Sequence, residues 1–504
     1  MLRPFTKITI QQIPTNKWKD RNLLVELDFV NSYEVTSNWE NHTNNATIVF
    51  PKNIALLKTS EGLFAKSGTY NVILGGSGAA NSPNTNTSRD NITIAPLIMK
   101  GDLVTINHGL IFRNENDKEV QCSTGGISIP NIPINNRLST TLDLFQGYVS
   151  AVKSDIPIKI ELEDNFYLLK RTPFPKTVWN KKEAIDEGLT STSMYDLMKY
   201  ILSLVNNAFY YQNDKYPKLE LLDIPDSITA QFSLGYLDVG DMTCAELLGK
   251  LKQQYHMEST FRGNTLQFGF PIYTDSETYT DGTPKESTAV PKLLKANSTR
   301  FFLFRDIYNS SNKLQASANI FPSHDLEYMN KDDVRLSAIV QCKVINLVPG
   351  KSTLSGAQKT KVSKLKVLVF WDIVTSSFKH WDLSKPGTKN PEEKDGGERH
   401  QFYYPVDNTN PNPTIDDLVR YGTAHLKKYH YTGFKGCFTS FSFPYVQWND
   451  NANILDPIMS DRNGQYKIKM VKYKGGIKGQ SSEIHLDYKI DIPLPTKVLS
   501  IYLL

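Results

Sequence analysis

Alternation of apolar and polar residues governs this chain. Between residues 156 and 163, Ile156, Ile158, Ile160 and Leu162 fall on one side, and Lys159, Glu161 and Glu163 fall on the other. A period of two suits a half-buried strand and cannot build the single apolar stripe of a helix. The pattern returns in KITIQQI, LLVELDF, ATIVFP, YNVILG and LVTINHGLIF, with Gly, Pro and Asn breaks between them. Residues 1–172 are therefore expected to form an antiparallel β-barrel or sandwich. Two polar stretches, 75–91 and 114–139, read as long surface loops inserted into it. The first, GGSGAANSPNTNTSRDN, has neither the Lys-Ser/Thr of a phosphate loop nor a helix signal after it, so it makes no case for a nucleotide site.

From 173 to 295 the period changes. Ser193 and Asp196 have the spacing of a capping box, and Met194, Leu197, Met198, Ile201, Leu204, Val205 and Ala208 then mark one helix face. Thr243 and Glu246 repeat the arrangement ahead of Leu247, Leu248, Leu251 and Tyr255. Such stripes read as core rather than as cofactor surfaces. MESTFRGNTLQFG follows as a hairpin turning at Arg262, Gly263 and Asn264. The polar insertion at 273–290 lacks the alternating ligands and closing Glu of a calcium loop.

Residues 296–430 read as a strand-rich domain, clearest in VRLSAIVQCKVINLV and KLKVLVFWDIV, with a charged Pro/Gly-rich spacer at 385–400. The domain is expected to end in a helix boxed by Thr414 and Asp417. Residues 431–504 return to alternation and are expected to form a second β module. The fold class is thus α+β and mainly β: two antiparallel β modules flanking, and joined by, α/β domains. No clean internal repeat accompanies that symmetry.

A chain of 504 residues is long enough for roughly three or four domains. Its 57 Lys and Arg against 52 Asp and Glu leave a net charge of +5, too weak to argue for stable nucleic-acid binding. Cys122, Cys244, Cys342 and Cys437 are far apart and show no CxxC or Cys/His ligand spacing, so they read as reduced thiols. The N-terminus lacks the apolar core of a signal peptide, and no window reaches the length of a membrane helix. Assembly in a cytoplasm, without stable membrane insertion, is the expectation.

Two arrangements could carry chemistry. Glu163 and Asp164 are adjacent acids, but neighbours in a strand point to opposite sides, so they converge only if the strand ends between them. His425 and His430 are five residues apart in an expected helix, which places them on different sides. No catalytic, cofactor-binding or metal-ligating residue is assigned, and no cofactor is expected.

Several segments, taken in order, resemble the tail-hub family of phages and related injection machines, which includes late control protein D, the contractile-phage baseplate hub and tail proteins of Bacteroidetes phages. They are NWENHTNNATIVFPKN, KGDLVTINHGL, LFQGYVSAVKSDIPIKIELEDNFYLLKRT, TCAELLGKLKQQYHM with FRGNTLQFG, TIDDLVRYGTAHLKKYHYTGFKGCFTSF, and the closing FPYVQWNDNANILDPIMSDRNGQYKIKMVKYKGGIKGQSSEIHLDYKI. The resemblance implies a homotrimer whose duplicated barrels present a pseudo-sixfold ring, fitting a sixfold tail tube to a threefold spike. It further implies tail tube, spike or needle and other baseplate proteins as partners, transient passage of DNA through a central channel, and a place in the virion tail assembled in the host cytoplasm. Under it the protein is not an enzyme, and Glu163 or Asp164 anchors a junction by capping the turn that begins at Asn165. The alternatives are a receptor- or carbohydrate-binding tail protein and a tail-associated glycan hydrolase. A hydrolase needs two facing carboxylates, and the sequence offers no converging pair.

Overall fold

The computed structural model describes residues 2–27, 30–38, 41–50, 97–113, 140–153, 157–179, 193–222, 237–255, 258–269, 299–331, 333–348, 359–385, 398–404, 413–442, 445–448 and 450–490, with short strands at 56–59, 62–65, 76–77, 93–94 and 119–120. The expected insertions at 75–91 and 114–139 lie outside the described residues apart from these short strands. The insertion at 273–290 lies wholly outside them, and the spacer at 385–400 almost wholly.

The chain is mainly β. Its first strands are β1 (Leu2–Gln11), β2 (Leu24–Leu27), β3 (Ser32–Asn38), β4 (Asn45–Val49), β5 (Leu103–Arg113), β6 (Thr140–Lys153) and β7 (Lys159–Glu163). The β7 strand buries Ile160 and Leu162 and leaves Lys159, Glu161 and Glu163 partly exposed, as its alternation requires. A short helix, α1 (Phe166–Leu169), follows at once, then α2 (Met194–Ala208) and α3 (Cys244–Tyr255). The Ser193–Asp196 box is present in both directions at the start of α2. At α3 the Thr243 amide donates to Glu246 Oε2 at 2.7 Å and the Glu246 amide donates to Thr243 Oγ1 at 3.2 Å. Strands β8 (Glu258–Arg262) and β9 (Thr265–Gly269) form the expected hairpin, with Gly263 at φ +60°. The apolar stripes of α2 and α3 share one core with Phe261, Leu266 and Phe268.

The third expected segment divides among sheets, with Ile307–Tyr308 and Leu314–Ala316 forming a small two-stranded one. Strands β10 (Thr299–Leu303) and β11 (Ile320–Met329) join the C-terminal strands, whereas β12 (Leu336–Val348), β13 (Lys359–Asp372), β14 (Ser377–Asp382) and β15 (Glu398–Tyr403) form a four-stranded sheet of their own. Helix α4 (Ile415–Tyr429), boxed by Thr414 and Asp417, lies on that sheet and buries Leu418 and Leu426 with Val340, Val367 and Val369. Alternation alone could not separate these strands, because it marks a face and not a partner.

The last strands are β16 (Gly433–Ser440), β17 (Asn451–Leu455), β18 (Gly464–Gly476) and β19 (Ser481–Ile490). Pairing in the principal sheet, of 16 strands, runs β11-β16-β19-β18-β3-β4-β7-β6-β5-β1-β2 and on to the strands at 56–59 and 62–65. Among the described residues this ladder does not close on itself. The first and last β units are also not separate bodies: β3 pairs antiparallel with β18, from Ser32 opposite Gly476 to Asn38 opposite Met470. One apolar cluster contains Ile8, Val25, Val104 and Ile160 of the first unit together with Phe438, Ile454, Ile468 and Ile484 of the last.

A buried ion pair fixes the base of the first unit. Arg21 Nη2 lies 2.6 Å from Asp102 Oδ2, and both side chains are almost fully buried. Asp102 also accepts from the amides of Ile13 and Met99, while Arg21 donates to the carbonyls of Ile13 and Leu97. Two inward charges are tolerated here because each is surrounded by partners of the opposite kind.

Candidate functional site

The adjacent acids part company where β7 ends. Glu163 closes the strand, and its carboxylate meets Lys170 Nζ at 2.7 Å on the surface. Asp164 turns inward and is buried: Oδ1 accepts from the Phe166 amide at 3.0 Å, and Oδ2 accepts from the amide of Asn44 at 2.9 Å and its Nδ2 at 3.0 Å. Burial pushes its carboxyl up to about 7 against the pull of those donors. The pair therefore does not converge on a common point. Asp164 closes a local turn onto the first amide of α1 and ties it to Asn44 just ahead of β4, an architectural task.

His425 on α4 and His430 at its C-cap also have separate surroundings. His425 is buried against Phe402 and Tyr421, and burial holds its pKa well below the ordinary imidazole range. His430 lies against Trp371, with ring centroids 4.1 Å apart.

A cleft of about 1140 Å³ opens between α4, β15 and the face of the β11-β16-β19 sheet, with Lys252 and Glu258 of the middle unit also lining it. Its lining mixes Lys252, Arg399, Lys435 and Lys469 with Asp325, Glu398 and Asp487. A lining of both signs makes no single strong field, so it suits a folded protein surface better than a polyanion.

On the floor of the cleft, strand register brings together a group that sequence spacing does not join. Cys437 on β16 is paired with Asp325 on β11 and with His485 on β19. Glu483 stands two residues before His485, hence on the same face. His485 Nε2 lies 2.7 Å from Glu483 Oε1, Lys472 donates to that oxygen at 2.8 Å, and Lys474 donates to Oε2 at 3.0 Å. Burial would raise the Glu483 carboxyl, but the hydrogen bonds from Lys472, Lys474 and His485 hold it at about 2. Burial lowers His485 and raises the Cys437 thiol, the latter aided by the charges of Glu483 and Asp325. Sequence spacing missed the group because 48 positions separate Cys437 from His485; the available signal was Glu483-x-His485 in an alternating strand.

No family model matches the chain, and no curated protein matches it. Solved structures similar to it include tail proteins and a component of a secretion system. A tail protein from Neisseria meningitidis is 10% identical, with 97% of each chain covered and a TM-score of 0.40. A 43 kDa tail protein of a Shewanella oneidensis prophage is 9% identical, with 96% of this chain and 98% of that one covered, at 0.38. An E. coli component of the type VI secretion system, described as similar to T4 tail proteins gp27 and gp5, is 7% identical, with 97% and 80% covered, at 0.32. At TM-scores of 0.40 and below, the reading of function rests on the chain itself.

Proposed function

We propose that the protein is a structural tail component, a homotrimeric hub that fits a sixfold tail tube to a threefold tip around a central channel. Three copies, each offering two β modules, supply six related faces, which removes the mismatch between the two symmetries. The observation that carries this reading is the β3–β18 ladder, which holds the first and last β units as one piece over one core. Paired in this way, the units keep a fixed spacing, as a ring made of barrel pairs requires. The ordered sequence segments described above support the same reading, and under it each unit forms one of two similar barrels in the assembled ring.

An edge for self-association is available. Among the described residues strand β11 ends the principal sheet, and Tyr328 on it is exposed and donates to Asp461 at 2.8 Å. Ile458 and Met459, just before Asp461, are also exposed. A terminal strand beside exposed apolar side chains is a surface that a second copy covers. In this proposal the partners are the tail tube, the spike or needle and other baseplate proteins, DNA passes through without being held, and the protein performs no catalysis. Native mass measurement of the purified chain tests it. A trimer that dissociates in Tyr328→Lys/Ile458→Asp supports the hub, and a monomer that neither trimerises nor docks on tube protein while binding or cleaving cell-surface glycan overturns it.

A further inference from the structure

We propose that Cys437, Glu483 and His485, with Asp325 as fourth member, form a binding site for a divalent cation of the zinc class on the floor of the cleft. The backbone register makes the case first. Asp325, Cys437 and His485 occupy directly opposed positions on three adjacent antiparallel strands. Opposed residues project to the same side of a sheet, so the three side chains form a row across it, and Glu483 flanks the row on the same face.

The atoms then come close enough. Cys437 Sγ, a carboxylate oxygen of Glu483 and an imidazole nitrogen of His485 all lie within 4.8 Å of one another. Asp325 Oδ2 is 3.9 Å from Cys437 Sγ. Ligands bound at zinc–sulfur and zinc–nitrogen distances in a tetrahedron stand about 3.6 Å apart, so small side-chain rotations on fixed strands complete the shell. One sulfur, one nitrogen and two carboxylate oxygens suit a borderline ion such as Zn²⁺ or Co²⁺ and do not suit Mg²⁺ or Ca²⁺, which take oxygen alone.

The surroundings supply the outer shell. Lys472 and Lys474 grip Glu483 and fix its orientation. With the cation bound, one carboxylate oxygen turns to the metal while a lysine stays on the other. The proton that His485 Nε2 shares with Glu483 Oε1 moves through solvent to Nδ1, which leaves Nε2 to the metal, and the thiol proton passes to solvent as the sulfur–metal bond forms. Such a site would clamp the terminal strand β11 to β16 and β19. It does not depend on the assembly proposed above.

The test is a titration of the full-length chain, stripped with chelator, using Co²⁺ alone. The expected result is about one equivalent bound, with a thiolate-to-cobalt charge-transfer band and tetrahedral d–d absorption, displaced by Zn²⁺. Cys437→Ser should lose the charge-transfer band, and His485→Ala should weaken binding at least tenfold, each with an unchanged circular dichroism spectrum. Lys474→Met leaves every ligand in place, frees one Glu483 oxygen and should tighten binding several-fold. If a ligand variant does not fold, alkylation of the wild-type chain decides: Zn²⁺ should slow modification of Cys437 at least tenfold. Absence of the charge-transfer band, its survival in Cys437→Ser, or alkylation of Cys437 unaffected by Zn²⁺ would overturn the site.

Discussion

Single side chains show how the fold meets the cost of burying polar groups. Arg21 and Asp102 satisfy each other and four backbone groups at the base of the first β unit. Arg21→Met would leave the Asp102 carboxylate buried without its countercharge, and we expect a loss of about 3–5 kcal/mol in urea unfolding. His108 is fully buried, with its Nδ1 2.5 Å from the Tyr33 hydroxyl, and burial lowers its pKa to about 4. The unfolded chain, with an ordinary imidazole, binds the proton more readily between about 6.5 and 4. The His108 contribution is therefore intact above about pH 6.5 and is lost as pH falls towards 4. The stability difference between wild type and His108→Phe should shrink by about 3 kcal/mol across that window, and equal pH slopes for the two proteins would refute the assignment. These residues were legible only in part. The sequence placed His108 on a strand and the acids 163 and 164 at a strand end, but which of them turns inward depends on partners such as Asn44, 120 positions away.

At the scale of elements the sequence was read more fully, because caps and stripes are local. The boxes at Ser193, Thr243 and Thr414 are all formed, and the stripes of α2, α3 and α4 supply core residues. Tyr255 was read as the end of the α3 stripe, but its side chain lies outside the described residues. Gly422 has an exacting place on α4. A Cβ there would stand 2.6 Å from Val340 Cγ2 and 2.9 Å from Val369 Cγ2, so the glycine lets the helix lie close on β12 and β13. Gly422→Ala should therefore destabilise the chain by about 1–3 kcal/mol, although alanine favours a helix. A raised thermal midpoint would show that this packing is looser than described. Pairing between elements was not legible: the same alternation that identified β11 and β12 sends one to the principal sheet and the other to the sheet beneath α4. The group at Cys437 was invisible for the same reason, being a product of register.

For the whole molecule the decisive feature is the junction of the first and last β units. Gly475 faces Tyr33 across it, and a Cβ at Gly475 would lie 2.2 Å from the Tyr33 ring, so the ring lies flush over the glycine. Gly475→Val should open the junction, and amide protection should fall together in β1, β5 and β19, which draw on one core. Loss confined to the last unit would show two independent bodies. The junction also sets an order of events during synthesis. Strand β3 waits for a neighbour about 430 residues downstream, so its edge stays bare until that much more of the chain has left the ribosome. A nascent chain in that condition is exposed to mispairing, and truncations before β18 should accumulate in aggregates or on chaperones.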